Sequence, residues 1–166
     1  MRVCLSLGSN LGDRTGHIHR ALEHLSAAGC KVRKVSSFYE TEPVDFLDQP
    51  WFVNCVAEVE TDLSPRALLR TALAYERAQG RRRSHSKGPR IIDIDILLYE
   101  NLVVHLPSLS IPHPRLSARR FVLVPLKEFA AEVRHPVTQQ TVSQMLRETG
   151  DKSKVVKLKK KMMNDE

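Results

Sequence analysis

The chain has 166 residues, of which 42% are hydrophobic and 5% aromatic, which is the size and apolar content of one domain with a buried core. The net charge of +7 favours an anionic partner: nucleic acid, an acidic membrane surface or a phosphorylated small molecule. There is no run of about 18 apolar residues, and the first residues turn polar too soon for a signal peptide, so we expect a cytoplasmic protein without a membrane partner.

The first half of the chain contains three strand-like segments and one amphipathic segment. Residues 2–7 predict a strand that ends in a turn at residues 8–13, and residues 17–28 repeat apolar side chains at helical spacing. Residues 32–39 predict a second strand. After a loop, residues 52–60 alternate in polarity, which predicts a strand with one buried face.

The second half begins with a helix whose start is well marked. Ser64 is a favourable N-cap, and Pro65 suits the first helical position. A basic loop follows this helix, and residues 91–99 then predict a buried strand. Two further helices are expected at residues 119–129 and 142–148.

The predicted order is β-α-β-β-α-β with helices added at the end. Ferredoxin-like folds have this order, so we predict an α+β protein with an antiparallel sheet and extra C-terminal helices. We expect residues 1–150 to form a single domain. Residues 151–166 carry six lysines and three acids without a clear core face, which predicts a mobile basic extension.

The three cysteines, Cys4, Cys30 and Cys55, lie beside apolar residues and show no metal-ligand spacing. An odd number of cysteines in such surroundings is typical of buried thiols in a reducing compartment. We therefore expect neither a disulfide framework nor a metal site from them.

Two aspartates interrupt the apolar strand at residues 91–99. Because side chains alternate along a strand, Asp93 and Asp95 are expected on one face. The residues expected on the opposite, apolar face are Ile92, Ile94, Ile96 and Leu98. Paired carboxylates suit Mg²⁺, which takes one or two of them and completes its shell with water and phosphate oxygens. An edge strand with solvated acids is the alternative, and the aliphatic opposite face argues against it.

Residues 81–90 hold four arginines and one lysine without an acid, and they lead directly into the two carboxylates. Alone, such a loop would more often be solvated or bind nucleic acid. Next to metal-binding carboxylates, arginines are typical of a polyphosphate site, where they neutralise phosphate charge. The adjacency therefore favours phosphoryl-transfer chemistry.

A second candidate cluster surrounds His113, which lies between two prolines that hold the backbone extended. Arg115 and Arg119 follow it four residues apart. These side chains suit phosphate binding, but they are equally compatible with a loop that enters a helix with exposed charges.

The turn at residues 8–13 is rich in glycine and asparagine. It lacks the Gly-Lys-Ser/Thr ending of a P-loop, so it does not predict a Walker-type phosphate site. We interpret it as a tight connection from strand to helix in which Asn10 or Asp13 helps to cap the helix.

Several ordered segments together resemble the 6-hydroxymethyl-7,8-dihydropterin pyrophosphokinase family. The run from Gly88 through Arg90 to Asp93 and Asp95 is similar to the signature of that family. The other segments that carry the resemblance are residues 7–13, 36–41, 48–54, 112–115 and 119–126. The tail after about Thr149 lies outside it.

The resemblance implies an ATP-dependent diphosphokinase of folate synthesis, which we expect to be a monomer that uses two Mg²⁺ ions and does not bind nucleic acid. It implies that Asp93 and Asp95 bind the metal ions. The arginines implied in catalysis or lid ordering are Arg81, Arg83 and Arg90. The implied ATP-binding residues are Glu76, His113, Arg115 and Arg119. The implied pterin-binding residues are Thr41, Val44, Phe52, Asn54 and Phe121.

The chain departs from the family pattern at a few positions. Lys87 stands where many members carry an aromatic residue before Gly-Pro-Arg, and Ser117 stands where many have histidine. Glu42 and Asp45 make the pterin-side loop unusually acidic. None of these departures affects the two metal-binding aspartates.

Two other functions are compatible with parts of the pattern. A ferredoxin-like RNA-binding module would use the basic loop and tail, but it needs surface aromatics for base stacking, and the two aspartates would repel RNA. A catalytically inactive relative that only binds pterin or nucleotide is the second alternative. The intact aspartates together with Arg90 and His113 argue against it.

Overall fold

A computed structural model describes residues 1–80 and 88–159. The predicted residues Arg81 and Arg83 lie outside this part of the chain. The strands are β1 (Arg2–Ser9), β2 (Cys30–Val35), β3 (Tyr39–Thr41), β4 (Phe52–Thr61), β5 (Asp93–Tyr99), β6 (Val104–Leu106), β7 (Leu109–Ile111) and β8 (Val155–Lys157). The helices are α1 (Arg14–Ala27), α2 (Pro65–Ala78), α3 (Arg120–Ala130) and α4 (Val142–Glu148), with a 3-10 turn at Leu116–Ala118.

The main sheet is antiparallel, and its order is β5-β1-β4-β3-β8, with β2 also paired to β4. The predicted α+β class and antiparallel sheet are therefore confirmed. The first strand lies between β4 and β5. Within the described residues β5 is an edge strand of this sheet, although the aliphatic face of its sequence argued against one. This arrangement brings the start of β5 close to the start of β4, although about 40 residues separate them in the sequence.

The predicted strand at residues 32–39 is divided into β2 and β3. The break occurs at Ser36, whose hydroxyl accepts a hydrogen bond from the backbone N–H of Val56 at 2.9 Å. The next backbone N–H, that of Ser37, donates to the Glu128 carboxylate on α3 instead of to a strand. Side-chain acceptors thus interrupt the ladder at this point.

Helix α2 begins where its sequence predicts, whereas α1 begins at Arg14, ahead of the predicted residues 17–28. Asp13 caps α1 by accepting from the backbone N–H of Gly16, and Ser64 caps α2 by accepting from Ala67. These side chains satisfy N–H groups that have no partner inside the helix. Asn10 does not serve as a cap here.

Two apolar cores lie on opposite faces of the sheet. The first lies beneath α1 and α2 and includes Val53, Cys55, Ala57 and Val59 of β4, as the alternation predicts. The second lies beneath α3 and α4 and includes Val56. All three cysteines are free and buried, as expected.

One residue of β5 faces the core opposite to the predicted one. Ile92, Ile94 and Ile96 lie in the first core as expected, whereas Leu98 lies in the second. The cause is an irregularity in the register of β1 and β5 between Cys4 and Leu5, which shifts the alternation of β5 by one residue.

The first part of the C-terminal extension, which we expected to be mobile, forms regular structure. Val155–Lys157 forms β8 and pairs with β3 along an edge that would otherwise be open. Asp151 accepts a hydrogen bond from the backbone N–H of Arg120 at 2.8 Å, and Glu42 accepts one from Lys154 at 2.8 Å. Residues 151–159 are thus attached to the domain, and residues 160–166 lie outside the described part.

In the described ranges, no helix combines the length and apolar character that a membrane span requires.

Candidate active site

A glycine in the central strand leaves space between two candidate site residues. Gly8 on β1 pairs with Asn54 of β4 on one side and with Asp93 of β5 on the other. A methyl group on residue 8 would lie 2.3 Å from Oδ1 of Asn54, well inside contact distance. Asn54 therefore requires glycine beside it.

The Asn54 amide is buried and oriented by a neighbouring hydroxyl. Its Nδ2 donates to Oγ1 of Thr41 at 2.6 Å, and the two side chains are 5% and 1% exposed as residues. With this hydrogen bond in place, the amide has a fixed direction towards the cavity beside it.

That first cavity has about 450 Å³ of empty space and is open to solvent. All five predicted pterin-binding residues line it, namely Thr41, Val44, Phe52, Asn54 and Phe121. Its remaining wall comes from the acidic loop at residues 42–49 and from Arg90, Asp93 and Arg119. The structure thus brings together side chains from β3, β4, α3 and the loops beside them.

A second cavity, with about 830 Å³ of empty space, lies along β5. Four predicted residues line it, namely Glu76, Asp93, Asp95 and His113. Asp93 lines both cavities, so the two cavities are neighbours at this residue.

Arg90 lines the first cavity beside Asp93. Its guanidinium is 3.2 Å from Oδ2 of Asp93, and Nε donates to the carbonyl of Gly88 at 3.0 Å. The guanidinium carbon is 5.2 Å from the centroid of the Phe52 ring, within the range of a cation–π contact. Arg90 thus contacts both Asp93, a candidate metal ligand, and Phe52, an aromatic residue in the wall of the first cavity.

Glu76 reaches the second cavity from α2. It is only 4% exposed, and its Oε2 accepts from the backbone N–H of Ile94 at 2.8 Å. Ile94 lies between the two aspartates in the sequence, so this hydrogen bond ties the helix to the strand segment that carries them. A buried carboxylate needs such a partner.

The backbone around His113 is fixed by its neighbours. The Ile111–Pro112 peptide bond is cis, and the backbone N–H of His113 donates to the carbonyl of Leu97 at 2.9 Å. The imidazole Nδ1 accepts from the backbone N–H of Arg115 at 3.1 Å. This acceptor role assigns the ring proton of the neutral form to Nε2.

Burial lowers the pKa of His113 to about 4, and the positive charges of Arg119 and Arg115 add to this effect while Asp93 opposes it. The ring is therefore neutral near pH 7. It offers one N–H donor to the second cavity, without adding a positive charge.

Arg115 and Arg119 lie beside the first cavity rather than in the second. Both pair with Asp45 of the acidic loop, at 3.3 Å and 3.7 Å. Arg119 also lies over the ring of Phe121, with 5.4 Å from the guanidinium carbon to the ring centroid. The resemblance did not assign Asp45 to the site, and only its unusual charge marked it.

Asn10 is a second residue whose role the sequence did not reveal. Its Oδ1 accepts from the backbone N–H of Arg90 at 2.8 Å. Its Nδ2 donates to Gln49 and to the carbonyl of Pro50, both at 2.9 Å. Asn10 therefore joins the turn after β1 to the acidic loop and to the segment before β5.

The two carboxylates of β5 fit a hard divalent cation. Within residues 1–80 and 88–159, no group of three or more histidine, cysteine or acidic side chains is arranged to enclose a metal by itself. Mg²⁺ does not need such a cage, because it binds through one or two carboxylates together with water and substrate phosphates. Asp93 and Asp95 on one strand face meet this requirement.

Comparison with known families agrees with this arrangement. A family model described as 7,8-dihydro-6-hydroxymethylpterin-pyrophosphokinase (HPPK) matches residues 4–131. The chain belongs to this family. The resemblance carried by the sequence motifs is thereby confirmed.

Several curated relatives share this family. The chain is 44% identical over 133 residues to a 2-amino-4-hydroxy-6-hydroxymethyldihydropteridine pyrophosphokinase of Methylorubrum extorquens, covering 80% of this chain and 84% of that protein. It is 39% identical over 155 residues to the protein of the same name from Haemophilus influenzae, covering 93% and 96% of the two chains. It is 45% identical over 141 residues to the folic acid synthesis protein fol1 of Pneumocystis carinii, where it covers 85% of this chain and 19% of that protein.

The chain therefore spans about a fifth of the fungal relative's length. A similar relation holds for a solved structure, the Plasmodium falciparum HPPK-DHPS A437G/K540E with pterin and p-hydroxybenzoate. It aligns with a TM-score of 0.73 at 18% identity, covering 88% of this chain and 43% of that chain. At this identity the match supports the fold.

Proposed function

We propose that this chain transfers the pyrophosphoryl group of ATP to the hydroxymethyl oxygen of 6-hydroxymethyl-7,8-dihydropterin, giving AMP and the pterin diphosphate in folate biosynthesis. The observation that carries the proposal is the pair of cavities that share Asp93 as a lining residue, one with aromatic walls and an oriented amide, the other with carboxylates. The names of its bacterial relatives support the same reaction.

The first cavity is the proposed pterin site. Phe52 and Phe121 supply two aromatic side chains for the faces of a flat heterocycle, and Val44 completes the apolar wall. Asn54 reads the donor and acceptor pattern of the pterin edge, because its amide offers both kinds of group. Thr41 holds that amide in the productive orientation through its hydroxyl.

The second cavity and the adjoining arginines are the proposed ATP site. Glu76 and His113 contribute from its walls, and the neutral His113 can donate its Nε2–H to a phosphate oxygen. Arg115 and Arg119 offer guanidinium groups, which suit phosphate oxygens by geometry as well as charge. Arg81 and Arg83 are proposed to contact the triphosphate from the basic loop.

Asp93 and Asp95 are the proposed ligands of two Mg²⁺ ions. When bound, the ions would neutralise phosphate charge and hold the polyphosphate in register with the acceptor. Asp93 contributes from the wall common to both cavities, and Arg90 balances its charge at 3.2 Å. Asp93, Asp95 and Arg90 would thus hold a polyphosphate beside the first cavity and orient it towards the pterin.

In the proposed reaction the hydroxymethyl oxygen forms a bond to the β-phosphorus of ATP. The bond from that phosphorus to the oxygen that bridges the α-phosphorus breaks, and that oxygen leaves with AMP. The hydroxyl proton passes to solvent. The protein's contribution is positioning and charge neutralisation, as in other phosphoryl transfers.

The deciding experiment follows AMP formation by the purified chain with ATP and Mg²⁺, with and without 6-hydroxymethyl-7,8-dihydropterin. The expected result is AMP release that requires both the pterin and Mg²⁺. Asp95→Ala should abolish turnover with the fold intact, as checked by circular dichroism. If Asp95→Ala kept most of the activity, the metal assignment would be wrong.

The same assay separates the alternative functions. Absence of AMP release together with pterin or nucleotide binding would indicate an inactive relative. Absence of AMP release together with tight, salt-sensitive RNA binding would indicate the RNA-binding module. We further propose that the chain acts as a cytoplasmic monomer on small-molecule substrates, which size-exclusion chromatography with light scattering would test for the oligomeric state.

A further inference from the structure

Asp45, on the acidic loop at residues 42–49, lies between two arginines that are proposed to bind ATP. Oδ1 of Asp45 is 3.3 Å from Arg115, and Oδ2 is 3.7 Å from Arg119. The Arg119 side chain is only 17% exposed, so its pairing is less screened by water than an ordinary surface ion pair. Asp45 thus offers these guanidiniums what a phosphate would offer: two oxygens with negative charge.

The loop that carries Asp45 is fastened elsewhere at both ends. At its start, Glu42 accepts a hydrogen bond from the backbone of Lys154. Towards its end, Gln49 and Pro50 accept from the Asn10 amide. Asp45 connects the middle of the loop to the opposite side of the cavity, where the two arginines lie.

The same part of the loop forms a wall of the proposed pterin site. Val44 and Asp45 both line the first cavity, together with Arg119 and Phe121. Val44, Asp45, Arg115 and Arg119 also line a neighbouring recess. A change in the Asp45 ion pairs therefore affects the pterin wall and the phosphate-binding arginines at the same time.

We infer that Asp45 is a positioning residue that couples the two substrate sites, an inference that rests on the proposed function. In the nucleotide-free protein, Asp45 holds the pterin-side loop against Arg115 and Arg119. The polyphosphate of ATP competes with Asp45 for these guanidiniums. Asp45 consequently strengthens pterin binding and weakens nucleotide binding, because its ion pairs favour the first and must be exchanged for the second.

The test uses Asp45→Asn, which removes the charge while keeping the size of the side chain. Isothermal titration calorimetry would measure the Kd of the α,β-methylene analogue of ATP with Mg²⁺, and separately the Kd of 6-hydroxymethylpterin. We expect the analogue to bind about two- to tenfold more tightly, since the phosphates no longer compete with two partly exposed ion pairs. The pterin should bind more weakly by a similar factor.

Two controls make the signature specific. The first control is AMP, which carries only the α-phosphate. Because the arginines are inferred to act on the outer phosphates, the Kd of AMP should change by less than about twofold. Asp48→Asn removes the same charge from an exposed position three residues further along the loop, and it should change neither Kd. The gain in analogue affinity should also shrink as the salt concentration rises.

The opposite signs of the two shifts distinguish coupling from a purely structural role. A general loss of packing would weaken both ligands together, and that result would overturn the inference. An unchanged Kd for the analogue would also overturn it. In steady-state kinetics the KM for ATP should fall and the KM for the pterin should rise, with kcat little changed.

Failure of this inference is separable from failure of the proposed function. Pterin-dependent AMP release by the unmodified chain, with unchanged ligand affinities in Asp45→Asn, would keep the function and reject the coupling. An unmodified chain that binds neither ligand would reject both. Asp45→Ser, a second neutral variant at the same position, should reproduce the tighter binding of the ATP analogue and the weaker binding of the pterin. Its failure to do so would count against the coupling.

Discussion

Gly8 lies directly opposite Asn54 in the β1–β4 ladder, and the space that a side chain on residue 8 would occupy contains the Asn54 amide oxygen. Asn54 cannot simply turn away, because its Nδ2 is held by Thr41 at 2.6 Å. The absence of a side chain at position 8 is therefore a requirement of the proposed pterin site rather than of a turn.

We expect Gly8→Ala to weaken pterin binding about tenfold or more, because the new methyl group displaces the amide that reads the pterin edge. Overpacking of this kind also costs about 1–3 kcal/mol of unfolding free energy. Fluorescence titration with 6-hydroxymethylpterin and urea denaturation would measure the two effects. Gly150→Ala is the matched control, since a methyl group there meets nothing within 4 Å. Equal pterin affinity in Gly8→Ala and Gly150→Ala would contradict the prediction.

The second prediction concerns Glu76 of α2, which holds the strand that carries the two aspartates. Glu76→Ala removes the acceptor of the Ile94 backbone N–H and leaves that donor buried. An unsatisfied buried donor costs about 1–3 kcal/mol, so we expect that loss in unfolding free energy from urea denaturation. Turnover should fall as well, because the positions of Asp93 and Asp95 depend on the same strand segment.

Glu76→Gln separates the two consequences. Its side-chain carbonyl still accepts from Ile94, so most of the stability should return. Any remaining loss of turnover would then report the carboxylate's contribution to the nucleotide site. If Glu76→Gln were as unstable as Glu76→Ala, the hydrogen bond to Ile94 would not be the source of the stability.

The side-chain alternation of the sheet could be predicted because it depends only on neighbours in the sequence. Asp93 and Asp95 share a face, as the two-residue period of a strand requires. The prediction for Leu98 was wrong because the register irregularity beside it arises from the pairing of β1 with β5, which a single strand does not reveal.

The roles of Asn10 and of the tail depend on contacts that are distant in sequence. Asn10 bonds to residues 39, 40 and 80 positions away, so no local motif indicates its partners. The tail resembles a solvated lysine-rich segment, and only Val155 and Val156 indicate a strand. The open edge of β3 provides its partner, and that edge exists only in the folded sheet.

His113 leads to a prediction about pH. Because its folded pKa, about 4, lies below the ordinary value of 6.5, the unfolded chain binds more protons between these two pH values. The stabilisation that comes from the neutral ring is therefore complete above pH 6.5 and is lost as the pH falls towards 4. We expect the loss to be about 1–2 kcal/mol, since partial exposure screens the ring.

His113→Gln removes the titrating group, so its unfolding free energy should fall less than that of the unmodified chain between pH 7 and pH 5, by an amount on the order of 1 kcal/mol. Urea denaturation at a series of pH values would measure the difference. Parallel pH profiles for the two proteins would show that His113 is not the titrating group. His105→Gln, at an exposed histidine of β6 outside both cavities, is the control for the loss of a ring.

Asp151 leads to the last prediction, because it lies in the segment expected to be mobile and caps a helix of the site. Arg119, the N-cap residue of α3, makes no capping side-chain hydrogen bond, and the Asp151 carboxylate accepts from the first helical N–H, that of Arg120. A carboxylate at a helix N-terminus also interacts favourably with the helix dipole. Asp151→Ala should therefore cost about 1–2 kcal/mol of unfolding free energy.

The charge state of Asp151 provides an internal check on this prediction. Burial opposes ionisation, but the hydrogen bonds from Arg120 and Ser153 outweigh it and lower the pKa of Asp151 below its ordinary value of 3.8. Its contribution is thus present at neutral pH and lost as the pH falls through the folded pKa. The difference in unfolding free energy between the unmodified chain and Asp151→Ala should become smaller in that pH range. Asp62→Ala, at an exposed acid between β4 and α2, is the control and should leave the unfolding free energy unchanged at neutral pH.

Helix α3 also carries Phe121 of the proposed pterin site. If Asp151→Ala lowers the unfolding free energy without any loss of pterin affinity, the cap supports the fold but not the pterin site.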